Sequence, residues 1–179
     1  QEEGREPAER EARMGMEVSM PLFLAGYKCS PQAGGEPLLR QSIIGDMACD
    51  VLFGESSPLY TRLYQEGVIN SSLGGNFDML PGASYLYVGG ETKEPRRVFE
   101  EITAQAKRLG EGGISEEFYQ QVRRASYGGM IRSLNSFENI AISLVDGRFR
   151  GYDAYRFPEV FETVTKADVE AFLREEVTA

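Results

Sequence analysis

The order of elements predicts an α+β fold, a mostly antiparallel β-sheet backed by helices and lacking a final strand. Three observations carry this. A strand-like alternation near the start is followed by helical spacing. A second pair of alternating runs flanks the turn dipeptide Pro81–Gly82. Everything beyond Pro95 repeats at helical intervals. Strands and helices are thus grouped rather than alternating, which argues against a parallel βα sheet. The 179 residues suit one domain. Three strands are few for so many helices, and the sequence ends close to its last helix, so a final strand is expected outside it.

Residues 1–15 read as a charged linker or tail. The run QEEGREPAEREAR alone holds five acids and three bases, too polar to bury. The sequence opens on Gln rather than Met, the expectation for a processed product or a fragment. Residues 16–179 are then the folded domain. Over Met16–Tyr27 the period of two puts Val18, Met20, Leu22 and Leu24 on one face. Pro21 lacks an N–H, which predicts an edge strand or a bulge. The turn residues of SPQAGGEP follow.

Glu36–Phe53 is predicted as a helix with a wide apolar stripe, including Leu39, Ile43, Met47 and Val51. Ser57 caps a short helix opening at Pro58 and closed by Gly67. Asn70–Met79 and Ala83–Gly89 form a hairpin, with Tyr85 and Tyr87 on one face and Leu86 and Val88 on the other. Pro95 opens a helix that the run Gly110–Gly113 closes. Ser115 caps the next, which runs through Gly128–Gly129 to Leu134. Each of those glycines costs about 1 kcal/mol relative to Ala, so close packing is expected there. Ser136 starts a helix with Phe137, Ile140, Ala141, Leu144 and Val145 directed inward, stopped by Gly147. A short helix over Pro158–Thr163 precedes the last one, whose start at Thr165-x-x-Asp168 is a capping-box pattern with Val169, Phe172 and Leu173 buried.

Composition excludes several functions. A net charge of −9 repels phosphate backbones and anionic lipid. No apolar run approaches the length of a membrane helix. There is no histidine, which removes imidazole-based triads and imidazole metal ligands. Cys29 and Cys49 form no C-x-x-C pair and read as reduced, core-packed thiols, hence a cytoplasmic location. No phosphate loop or nucleophile elbow occurs. Neighbouring acids such as Glu100 and Glu101 diverge on a helix and read as solvated faces. Arg123 and Arg124 read as surface ion pairs. The aromatic run Phe149, Tyr152, Tyr155 and Phe157 reads as packing before pocket.

The segment FGESSPLYTRLYQEGVIN, with MPLFLAGYK before it and the hairpin after it, resembles the C-terminal, non-catalytic domain of the M16 (insulinase-like, pitrilysin) zinc metallopeptidases. The closing stretch GRFRGYDAYRFPEVFETVTKADVEAFL is similar to that family's last helices. The resemblance covers Met16–Val177. It implies a family in which such domains enclose unfolded peptide. One domain carries H-x-x-E-H, whose histidines hold zinc and whose Glu activates the attacking water. Without histidine this chain would be a wall domain with no cofactor of its own, zinc being expected in the catalytic partner.

Some related wall domains carry an Arg and a Tyr that reach the substrate carbonyl. Aligned on Leu59–Tyr60, Tyr64 falls at the Arg position and Asn70 at the Tyr position, with Arg62 nearby. These three are the candidate substrate-binding residues, and neither residue type is kept. The implied partners are an N-terminal zinc-bearing domain of the same polypeptide or a second M16-like subunit, together with peptide substrate. The exposed hairpin edge around Ser71–Asp78 is expected to take extended peptide by strand addition. Self-association through an uncovered apolar face is expected as well. The alternative is a stand-alone interaction module of the same fold; an H-x-x-E-H helix encoded upstream of Gln1 would separate the two.

Overall fold

The computed structural model describes residue 7 and residues 9–177. The rest of the charged tail lies outside the described residues. Residues 9–19 are exposed and without strand or helix, so Met16–Met20 do not extend the first strand as expected. Strand β1 spans Leu22–Cys29. It begins just after Pro21, whose carbonyl accepts from the Thr92 N–H at 3.0 Å.

Helix α1 (Glu36–Phe53) and helix α2 (Pro58–Gln65) follow. Ser57 Oγ accepts from the Tyr60 N–H, the predicted cap. Gly67, with φ of 69°, turns the chain after α2. Strands β2 (Gly74–Leu80) and β3 (Ala83–Glu91) form the hairpin. Its turn places Gly82 at φ 83° after Pro81, the backbone a type II turn requires.

The sheet order is β1-β3-β2, antiparallel throughout. β1 is therefore an edge strand, as Pro21 predicts. The register pairs Leu86 with Tyr27 on one side and Phe77 on the other. On this inner face Tyr27, Cys29, Phe77, Met79, Leu86 and Val88 are buried. Leu22 and Leu24 share a face, as the alternation expects, and it is the outer one. Leu22 and Leu24 point away from the core, at 67% and 76% exposure, and Val18 is exposed beside them. Both parities of this run are apolar, so alternation alone does not choose; the helices cover the side bearing Tyr27 and Cys29.

α1 is the axis of the helical layer and touches β2, α2, α3 (Pro95–Gly112), α4 (Glu116–Ser133), α6 (Phe157–Glu162) and α7 (Lys166–Glu176). An α1 side chain at Gly45 would stand 2.1 Å from the Phe77 ring. The absent side chain lets helix and strand close, and Phe77 meets Phe172 of α7 edge-on at 5.2 Å. α3 ends inside the run Gly110–Gly113, as expected, and within it Gly110 fits against the Arg174 backbone of α7, where a Cβ would lie 2.9 Å from Cα. The Thr165 capping box forms as predicted, and Val169, Phe172 and Leu173 are buried.

Three expectations for residues 128–150 fail. At Gly128 and Gly129 a Cβ would find nothing nearer than the Arg132 guanidinium, at 3.6 and 3.8 Å, so no close packing compensates them. Helix α5 spans Phe137–Arg150, running through Gly147 and ending at Gly151, whose φ is 82°. Its apolar side faces outward: Phe137 is 91% exposed and Phe149 87%. Gly147 is the buried position, where a Cβ would meet the Tyr152 carbonyl at 2.9 Å. α5 is held instead by polar contacts at its C-terminal end: Arg150 Nη1 donates to the Met79 carbonyl and the Gly35 N–H to the Arg150 carbonyl, while Arg150 Nε is steadied by Asp146 one turn back on the same helix. In the aromatic run, Tyr152 and Phe157 pack on the core while Phe149 and Tyr155 stay exposed. Arg123 pairs with Glu162 of α6 and lies over the Phe161 ring rather than serving an acid on its own helix.

Candidate functional site

The outer face of the sheet is built by side chains of one parity. β1 contributes Leu22, Leu24 and Gly26, β3 contributes Tyr85 and Tyr87, and β2 contributes Asn76 and Asp78. Gly26 lies opposite Tyr87 and leaves a floor between the larger groups. Leu24, Ala25, Gly26, Asp78, Tyr85 and Tyr87 line an open groove of about 490 Å³. The two tyrosine rings stand 6.0 Å apart and tilted. The Asp78 charge, with partial burial, raises the Tyr87 phenol above its usual range, so it remains a neutral donor.

β2 is the second edge of the sheet. Leu80 and Ala83 close the two-residue turn, so antiparallel alternation aims the backbone groups of Gly75, Phe77 and Met79 away from β3. Arg150 takes the Met79 carbonyl at the end of the strand. Gly75 is forced by close approach: a Cβ there would lie 2.0 Å from the Tyr87 carbonyl. An extended chain laid along this edge would find backbone donors and acceptors rather than side-chain chemistry.

Beside β2, Asp46 and Asp50 project from α1. Desolvation by the packed α1–β2 region, reinforced by the like charges of Asp50 and Asp78, raises Asp46 to about 7, even though the residue itself is exposed, so the like charges are the firmer cause. Burial and the same acids push the Cys49 thiol well up. It stays protonated and is no nucleophile. Cys29 and Cys49 are both buried and unbridged, as the sequence predicts.

Arg62 and Tyr64 sit on α2, and Asn70 in the loop before β2. Arg62 is engaged within the domain: its guanidinium meets both Glu101 carboxylate oxygens, at 3.2 and 2.7 Å, and reaches Glu66. Tyr64 stacks on Tyr60 at 6.0 Å and is 52% exposed. Asn70 donates to Glu91 at 2.9 Å and accepts from the Ser72 N–H and hydroxyl. Among the described residues no hydrogen bond joins any two of the three. The groove of Leu24, Tyr85 and Tyr87 is not foreseen from the sequence. Its signal is there in the shared parity of Tyr85 and Tyr87, but the register needed to add Leu24 and Gly26 comes from tertiary pairing.

Among the described residues no group of three His, Cys, Asp or Glu side chains could hold a metal ion. These residues do not fit a zinc site, and among the described residues no helix is long and apolar enough to cross a membrane. The fold and surface thus define an α+β domain with an open sheet edge. The peptidase M16 inactive domain matches residues 6–126, and the chain belongs to that family. It is 30% identical over 171 residues to YmfH of Bacillus subtilis (strain 168), described as an uncharacterized zinc protease. That alignment covers 95% of this chain and 40% of the relative. A solved structure described as an M16-like peptidase from Alicyclobacillus acidocaldarius superimposes with a TM-score of 0.82 at 26% identity, over 89% of this chain and 38% of that one. The inactive peptidase domain of a zinc protease from Bordetella parapertussis shares the fold at a TM-score of 0.70 and 15% identity, over 90% of this chain and 87% of that one. The chain therefore spans about two fifths of the first two proteins, and most of the third.

Proposed function

We propose that this domain is a non-catalytic wall of an M16-type zinc endopeptidase. It helps enclose and bind unfolded peptide while another domain carries the H-x-x-E-H zinc site. That partner is an N-terminal domain of the same polypeptide or a second M16-like subunit. The observation that carries the reading is the open β2 edge beside the tyrosine groove, on an inactive-domain chain without histidine. Strand addition binds through the backbone and so tolerates many peptide sequences. The groove adds apolar contact for side chains of one parity, and the chemistry is left to the partner. Tyr64 and Asn70 stand as substrate-facing candidates; Arg62 would join them only by leaving Glu101. Two buried, unbridged thiols fit a reducing compartment, and the cytoplasm is the proposed location.

The test is an amide-resolved titration of the domain with an unstructured peptide. The expected result is shifts and slowed hydrogen exchange at Gly75 and Phe77, with weaker effects at Tyr85 and Tyr87. Saturable binding that maps to other elements, or no binding at millimolar peptide, would defeat the edge reading.

A further inference from the structure

α5 is turned inside out relative to its domain. At 100° per residue, Phe137, Ala141, Ile142, Leu144, Val145 and Phe149 share one broad face. That face points to solvent, while Gly147 is buried and Arg150 reaches the body of the domain at the Met79 carbonyl. At roughly 150–250 Å² per ring, Phe137 and Phe149 alone offer about 300 Å² at 91% and 87% exposure. With the aliphatic groups the stripe reaches on the order of 600 Å², near the largest patch a monomer ordinarily leaves open. Flanking polar side chains bring it towards the ~800 Å² that each partner gives a standard interface.

The charges on this face select the occupant. Glu138 lies near the N-terminal end of the stripe and Arg148 near the C-terminal end, and neither makes an ion pair among the described residues. We propose that α5 pairs antiparallel with α5 of a second copy about a two-fold axis level with Ser143. This places Phe137 and Glu138 of one copy level with Phe149 and Arg148 of the other. Ala141 and Val145 lie at the centre, where the small Ala side chain lets the backbones approach. The same patch serves both sides, as two-fold symmetry requires. Opposed helix dipoles and local Glu–Arg complementarity offset the repulsion between two chains of net charge −9. The pairing does not depend on the peptidase reading, because it uses neither the groove nor the β2 edge.

Sedimentation velocity of the full chain over a concentration series tests it. The expected species at about 100 µM is a dimer of twice 19.9 kDa, dissociating on dilution. Val145→Glu, at a site 55% exposed, leaves the circular dichroism unchanged and weakens the dimer at least about tenfold. Glu138→Arg and Arg148→Glu each weaken it about three- to tenfold, and the double exchange returns it to within about twofold of the native chain. A monomer throughout, or a dimer indifferent to Val145→Glu, overturns the proposal. Loss in Val145→Glu without recovery in the double exchange overturns it too, because the stripe then covers another surface, such as that of a companion domain.

Discussion

Replacing Gly45 by Ala tests how α1 closes on the sheet. The new Cβ would fall 2.1, 2.3 and 2.8 Å from three atoms of the Phe77 ring. Carbon pairs favour about 3.5–4.0 Å, so the ring must retreat by well over 1 Å. It has nowhere to go: Phe77 is 4% exposed and abuts Phe172 edge-on. Overpacking of this kind costs about 1–3 kcal/mol. Ala in place of Gly inside a helix returns about 1 kcal/mol. Gly45→Ala should therefore destabilise by up to about 2 kcal/mol, read as a lower urea midpoint at unchanged slope. Gly128→Ala is the matched control, because its Cβ meets only a mobile guanidinium 3.6 Å away; it should stabilise by about 0.5–1 kcal/mol. Phe77→Leu should relieve part of the Gly45→Ala penalty, giving a favourable coupling in a double-mutant cycle. A Gly45→Ala variant as stable as Gly128→Ala would refute the packing account.

Other outcomes follow from single contacts. Thr165→Ala removes the hydroxyl half of the α7 capping box and should cost about 1 kcal/mol by chemical denaturation. Arg62→Ala breaks largely solvated ion pairs with Glu101 and Glu66 and should cost less than about 1 kcal/mol, with thermal unfolding as the check. Asp46 sets a pH dependence. Its pKa is raised to about 7 in the fold, so the folded chain retains a proton that the unfolded chain has already released. Stability should fall as pH rises from about 4 to 7. Asp46→Asn should flatten that part of the profile, measured as unfolding midpoint against pH.

The helices were legible where propensity, caps and tertiary burial agree. The stripe of Leu39, Ile43, Met47 and Val51 gives α1 its observed bounds, and Thr165-x-x-Asp168 marks the start of α7. Period alone does not say which way a face points. The stripe on α5 is apolar, as its spacing predicts, yet faces outward, because the sequence states amphipathicity without naming the partner. β1 is ambiguous in the same manner: Leu22 and Leu24 alternate on one face, and only the tertiary packing shows that Tyr27 and Cys29 belong to the side the helices cover. Strand register is non-local, so the groove at Gly26 and the approach of Gly75 to β3 had no local signal. The missing imidazole needed no structure at all, and it was the firmest functional statement the sequence held.

The proposed function requires that this domain hold peptide and not cut it. Elemental analysis of the purified 179-residue chain, run beside a hydrolysis assay on an unstructured peptide with zinc supplied, tests that most directly. The expected result is zinc far below one equivalent and no cleavage until a zinc-bearing M16 domain is added. Stoichiometric zinc retained through purification, with turnover that a chelator stops and zinc restores, would contradict it.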